Sequence, residues 1–186
     1  MKILVLSDTH GDISMAKKIW ASLDDLDLVL HLGDYYEDAE KLAAYVRTRV
    51  IAVHGNMDFE GDSPLHRIID TEYGPVLITH GHCDRVRASY DKLLYRAEEA
   101  GCKAALFGHT HVAVNEVIDG IHVVNPGSLT RPRDGAAGSY AVIETSEDRF
   151  DCRIIRTDGS SEKNGGKNSK AKAGMLRSIL NYSDRL

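Results

Sequence analysis

The amino-acid sequence predicts an α/β fold in which two β-sheets pack face to face with helices on the outside. Three observations predict it. Short, continuous apolar runs alternate with helical stripes through the first 107 residues, which argues for a mostly parallel sheet. Beyond His111, strand-like segments follow one another with little room for helices, which argues for antiparallel pairing. At 186 residues with 42% hydrophobic side chains, the chain suits one compact core.

Lys2–Leu6 reads as a buried strand because its apolar run is unbroken. Ile13, Ala16, Trp20 and Leu23 form a helical stripe, with Asp12 placed to cap its start. Leu28–Leu32 is a second buried strand, and Glu37–Arg47 a second helix with Ala39, Leu42, Ala43 and Val46 inward. Val50–Val53 is a third strand, followed by a polar loop from Asn56 to Pro64. Leu65–Glu72 and Val76–Thr79 read as strands joined by the turn Tyr73-Gly74-Pro75. Arg85–Ala100 is predicted helical, with Gly101 just past its end, and Ala104–Phe107 is another short strand. Val112–Ile118, Ile121–Val124, Ser139–Glu144 and Phe150–Arg156 complete the pattern as an antiparallel meander, with Asp119-Gly120 a hairpin turn. The folded domain is expected to span residues 1–157. Residues 158–172 read as a flexible polar linker, because Gly, Ser, Asn and Lys bury too little apolar area to order themselves. Residues 173–186 carry an amphipathic helical stripe through Ala173, Leu176, Ile179 and Leu180, suited to a homo-oligomer contact.

The formal charge of −5 supplies no overall positive field for a nucleic-acid backbone, so nucleic acid is not expected as a stable partner. The three cysteines are scattered without metal or redox spacing and read as reduced thiols. No apolar run approaches the roughly 20 residues of a membrane span, and Met1-Lys2 leads into too short a run for a signal peptide. The expectation is a cytoplasmic protein with no membrane contact.

Chemistry-bearing residues follow each strand of the first half. Asp8 and His10 come after the first, Gly33-Asp34 after the second and Gly55-Asn56 after the third. His80-Gly81-His82 and Gly108-His109-Thr110-His111 follow the next two parallel candidates. In α/β sheets, sites form beyond the carboxyl ends of the strands, so these segments should meet at one edge. Oxygen and imidazole donors gathered there point to a metal site.

Asp8-x-His10, Gly33-Asp34, Gly55-Asn56, His80 and Gly108-His109-x-His111, in this order, resemble the calcineurin-like metallophosphoesterase superfamily. Ser7-Asp8-Thr9-His10-Gly11, Thr79-His80-Gly81-His82 and Asn125-Pro126-Gly127-Ser128 are similar to its small bacterial and archaeal phosphodiesterase branch. The resemblance covers residues 1 to about 157 and implies a four-layer α/β/β/α sandwich of two mixed sheets. It also implies two divalent metal ions, manganese foremost, with nickel, iron, zinc or cobalt as alternatives. Asp8, His10 and His111 would hold the first, Asn56, His80 and His109 the second, and Asp34 would bridge them, with Asp34, His10 and Asn56 at the heart of catalysis. The implied reaction is hydrolysis of a small phosphodiester or nucleotide-like substrate by in-line attack of a bridging hydroxide.

One departure stands out. Many members of the superfamily carry a histidine after the Asn ligand as leaving-group acid, and this chain has Met57, whose thioether donates no proton. His82, Asp58, Arg131 and Arg133 are further candidates for touching substrate or steadying a ligand. His31 and His54 read as core or edge histidines, and His66 and His122 as surface ones. A non-catalytic scaffold of the same fold is the alternative, but all seven ligand positions hold usable donors. A β-lactamase-type zinc enzyme would need a His-x-His-x-Asp-His run, which the chain lacks.

Overall fold

The structure, a computed structural model, describes residues 1–59 and 63–162. The elements run β1 (Lys2–Leu6), α1 (Ser14–Ser22), β2 (Leu28–His31), α2 (Tyr36–Tyr45), β3 (Arg49–Ala52), β4 (His66–Thr71), β5 (Gly74–Thr79), α3 (Asp91–Glu99), β6 (Ala104–Leu106), β7 (Val114–Ile118), β8 (Ile121–Asn125), β9 (Ser139–Ser146), β10 (Arg149–Arg156) and β11 (Ser161–Glu162). One sheet has the order β11-β10-β9-β1-β2-β3 and the other β4-β5-β6-β8-β7. Both are mixed. β1, β2 and β3 are parallel while β9 lies antiparallel to β1, and β5, β6 and β8 are parallel between antiparallel β4 and β7.

Strand alternation builds the four layers. Ile3 and Val5 of β1 join Leu28 and Leu30 of β2 and face Val76, Ile78 and Leu106 across the gap between the sheets. Leu4 and Leu6 point the other way, onto Ala16 and Ile19 of α1 and Leu42 of α2. On the far side Leu77, Ala105 and Val123 meet Leu93 and Ala97 of α3. Because β1 is buried on both faces, its run is unbroken rather than alternating, and truncating a fully buried Leu there would cost about 2–5 kcal/mol.

The expected antiparallel meander of the second half needs correction. The β7–β8 hairpin turns at Asp119-Gly120, both at positive φ (50° and 83°), but β8 pairs parallel with β6. β9 then returns to the other sheet beside β1, with Ile3 opposite Ile143. Apolar runs mark strands without naming their partners, so this crossing was hidden. The third helix also starts later than expected, because residues 82–88 form tight turns with Arg85 at φ 55°. Asp12 accepts the N–H of Ser14 at 2.9 Å, one residue outside the cap position at Ile13. His122, expected at the surface, stacks on Phe150 with ring centroids 4.4 Å apart. Of the span read as linker, Ser161 and Glu162 pair with β10 as its edge strand. The remainder of that linker and the 173–186 segment lie outside the described residues. Among the described residues no helix is long and apolar enough to cross a membrane.

Candidate metal centre

The loops after β1, β2, β3, β5 and β6 converge. Asp8 N–H donates to the Gly33 carbonyl at 3.2 Å and Gly108 N–H to the His80 carbonyl at 3.1 Å. The two sheets are tied together where His109 N–H donates to Asp8 Oδ2 at 3.1 Å. Tight reversals aim the side chains inward: Asp8, His10, Asp34, His109 and His111 sit at φ 54°, 47°, 57°, 66° and 59°. Each such residue carries backbone strain of about 1 kcal/mol or more, which surrounding structure must offset. Two glycines make the approach possible. A Cβ on Gly33 would lie 2.7 Å from the His80 ring, and one on Gly55 would overlap the Asp34 amide and carboxylate.

On one side of the site, Asp8, His10, Asp34 and His111 bring ligand atoms within 4.8 Å of one another. His111 Nδ1 donates to the Arg131 carbonyl at 2.7 Å. A carbonyl only accepts, so that nitrogen carries a proton and Nε2 is left facing Asp8 Oδ1, 3.0 Å away. Asp8 Oδ1 is buried with no hydrogen-bond partner. His10 Nε2 completes the group, 3.3 Å from His111 Nε2 and 3.9 Å from Asp34 Oδ2.

The other side repeats the logic. His80 Nδ1 donates to the Leu32 carbonyl at 2.7 Å, which turns Nε2 toward Asp34 Oδ1 at 3.2 Å and Asn56 Oδ1 at 3.1 Å. The His109 ring lies edge-on to His80, 5.1 Å between centroids. Asp34 therefore offers one oxygen to each side. Acceptor atoms aimed at acceptor atoms repel unless something positive lies between them, and buried unpaired acceptors cost energy. The donor set thus fits divalent cations, imidazole and carboxylate suiting first-row transition metals, and the protonated Nδ1 atoms of His80 and His111 fix the ligating tautomer.

The electrostatics agree. Burial would raise the carboxyl of Asp8, but the facing His111 ring and the His80 charge outweigh it and hold it low. Asp34 behaves likewise: the hydrogen bond and charge of His80 overcome burial and keep it well below the carboxylate range. Burial pushes His80 down, yet Asp34 and Asp8 draw its pKa above the ordinary value. Burial lowers His10, and burial with the charges of His80 and Arg87 takes His109 down to about 4.

Several residues to which the sequence assigned no role hold this site in place. Asp38 on α2, fully buried, accepts from Thr9 Oγ1 at 2.7 Å and from Gly11 N–H at 2.7 Å, bracketing His10. Since Thr9 donates to Asp38, its oxygen accepts from His31 Nε2 at 2.9 Å. Ser128 Oγ donates to the Asp8 carbonyl at 2.8 Å, and Asn125 Nδ2 donates to the Gly108 carbonyl at 2.8 Å. The Asn125–Ser128 stretch therefore braces both ligand loops. The signal for Asp38 was a carboxylate on the buried face of a helix.

The remaining candidates fall in different places. Asp58 does not reach His10: its oxygens accept from Gly55 N–H at 2.7 Å and Tyr36 N–H at 2.5 Å, tying the Asn56 loop to the segment after Asp34. Met57 is half-exposed and contributes its N–H, donated to Asp34 Oδ1 at 3.0 Å. The His82 ring lies 5.4 Å from that of His80. Arg131 gives its carbonyl to His111, and its charge bears on His10. Arg133 donates its N–H to the His111 carbonyl at 2.9 Å. His31 is buried, while His54 lies beside Ser63 with Nδ1 2.9 Å from Oγ.

Comparison with known proteins adds to this geometry. The family model of the calcineurin-like phosphoesterase superfamily domain matches residues 1–148. The chain is 32% identical over 161 residues to the probable metallophosphoesterase YsnB of Bacillus subtilis, covering 86% of this chain and 94% of that one. A phosphodiesterase of Methanocaldococcus jannaschii is 30% identical over 149 residues, 68% of this chain and 83% of the other. The zinc complex of Vps29 from Entamoeba histolytica superposes with a TM-score of 0.73 at 19% identity, covering 87% of this chain and 96% of that one, a likeness of fold.

Proposed function

Because the chain belongs to the calcineurin-like phosphoesterase superfamily, we propose that it is a metal-dependent phosphodiesterase that hydrolyses a small phosphodiester or nucleotide-like substrate in line. The observation that carries this reading is Asp34, which turns one oxygen toward His80 at 3.2 Å and the other toward His10 at 3.9 Å. On that basis Asp8, His10 and His111 would hold one divalent ion, Asn56, His80 and His109 would hold a second, and Asp34 would serve both. Manganese heads the candidates by the family resemblance, and nickel, iron, zinc or cobalt also suit a mixed imidazole and carboxylate set. Such a pair of ions, when bound, would lower the pKa of a shared water and offset charge on the phosphoryl oxygens.

The chain's own residues supply orientation and charge. Leu32 and Arg131 carbonyls fix His80 and His111 in the ligating tautomer. Met57 N–H steadies Asp34, and Arg131 adds positive charge near His10, where a phosphoryl oxygen would gain from it. The diester preference is supported by the archaeal phosphodiesterase among the relatives. All seven positions hold competent donors, which favours an enzyme over a protein-binding scaffold. A cytoplasmic location accords with three cysteines outside any disulfide.

The test is metal analysis of the purified protein with hydrolysis of bis(p-nitrophenyl) phosphate and p-nitrophenyl phosphate, beside Asp34→Asn. Two equivalents of metal, faster diester hydrolysis and loss of both in the variant are expected. Activity that survives chelation, or an unimpaired variant, would overturn the proposal.

A further inference from the structure

Two clefts adjoin the ligand loops, and they differ in charge. One, of about 480 Å³, borders Asn56 and His82 with Leu65 and His54. Among the described residues neither Lys nor Arg lines it, and the carboxylate there, Asp58, is spent on main-chain N–H groups. The other, of about 430 Å³, contains Arg87 and Arg133, with Val86, Val112 and Val114 as apolar lining and Tyr90 and Thr110 completing it. Thr110 lies between His109 and His111 in the chain. Arg87 Nη2 donates to the His109 carbonyl at 3.3 Å, and Arg133 N–H to the His111 carbonyl at 2.9 Å. The ligand loop is thus anchored to both arginines.

Neither guanidinium forms an ion pair among the described residues. The carboxylate nearest Arg133 in sequence, Asp134, is taken by Arg156 Nη1 at 2.8 Å. Burial raises the Tyr90 phenol, and the charge of Glu116 on β7 adds to it. Among the described residues the lining holds two arginines and no carboxylate, which leaves the cleft positive in a chain whose formal charge is −5. Guanidinium forks match the oxygens of phosphate or carboxylate, and the valines with the Tyr90 ring suit a carbon skeleton.

Resting on the phosphodiesterase reading, we infer that this arginine cleft binds a second anionic group carried on one ester arm of the substrate. The substrate class is then an asymmetric diester: one arm bears a phosphate-type or carboxylate group and seats beside His109 and His111. The other arm, uncharged, faces the cleft at Asn56 and His82.

The experiment uses the manganese-loaded protein and three p-nitrophenyl aryl phosphates with the same leaving group. The retained phenyl ring is unsubstituted, carries a carboxylate, or carries a phosphonate. Wild type should favour a charged ring over the plain one by about tenfold in kcat/KM, the size of one charge-assisted contact, and the better arm names the anion. In R87Q/R133Q the ratio should fall to about one. In E116Q, an exposed strand substitution, it should rise. A wild-type ratio at or below one, or one that survives in R87Q/R133Q, overturns the inference while leaving diester hydrolysis intact. Failure to hydrolyse all three would end the phosphodiesterase reading and this inference with it.

Discussion

His80 and Asp34 face each other nitrogen to oxygen at 3.2 Å, while the far nitrogen of His80 is committed to the Leu32 carbonyl. In the metal-free chain only a proton on Nε2 can satisfy that contact. The surroundings favour it, for Asp34 and Asp8 raise the His80 pKa against the opposing pull of burial. The proton and a metal ion therefore compete for one lone pair.

Metal binding should accordingly release a proton. His109, held at about 4, and His10, lowered by burial, are already neutral near pH 7, whereas the raised pKa of His80 makes it a source. Its raised pKa means that apparent metal affinity falls as pH drops through that value and levels off above it. Calorimetric titration of the chelator-stripped protein with manganese, in buffers of different ionisation enthalpy, should show proton release that disappears at high pH. Heats independent of the buffer at neutral pH would refute the assignment.

Asp38 should act on metal affinity through the Thr9–Gly11 loop. It binds residues on both sides of His10, which itself sits at φ 47°, so losing those contacts lets the ligand drift. Removal of a supporting hydrogen bond beside a metal ligand typically costs about 10–100-fold in affinity. Asp38→Ala should show that loss, and Asp38→Asn, which keeps an acceptor, should recover part of it. A lower melting temperature with unchanged manganese affinity would reduce Asp38 to a structural role.

How much of this was readable in the sequence differs by level. β1, α1, β2, α2 and β3 were legible because runs such as Ile3-Leu4-Val5-Leu6 and the stripe through Ala16 have distinct periods. The partner of β9 was not: Tyr140-Ala141-Val142-Ile143 is buried on both faces and would suit either sheet. The ligand candidates could be picked out because their residue types recur at strand ends. Asp38 was passed over although it shares the buried face of α2 with Leu42, since a carboxylate in the first turn of a helix reads as a routine complement to the helix dipole. Arg87 was hidden within a predicted helix that in fact begins at Asp91.

The metal-free protein should lose stability on mild acidification through His31. Burial presses this imidazole below its ordinary 6.5, with the charges of Asp8 and Asp38 only partly restoring it. The unfolded chain takes up the proton as pH falls through about 6.5, while the folded chain does not until its lower pKa. The contribution is therefore complete above pH 6.5 and declines below it, with a slope of at most about 1.4 kcal/mol per pH unit for one proton. Urea unfolding of the chelator-stripped protein between pH 5 and 7, about the ordinary His pKa, should give a shallower dependence for His31→Gln, whose amide can still donate to Thr9. Parallel profiles would refute it.

Leaving-group chemistry supplies the last prediction. Met57 stands where the family resemblance implies an acidic histidine, and its contribution to the site is an N–H on Asp34. The next imidazole outward, His82, is lowered by burial and by the charge of His80, so near pH 7 it is neutral and holds no ready acidic proton. Without an acid, the departing oxygen must carry its own charge, and rate should track how well it does so. Across a series of methyl aryl phosphates at pH 7, log kcat should fall steeply as the phenol pKa rises. His82→Gln should leave that slope unaltered. A flat dependence in the wild type would mean that a competent acid sits in the site, and a slope that steepens in His82→Gln would identify it as His82.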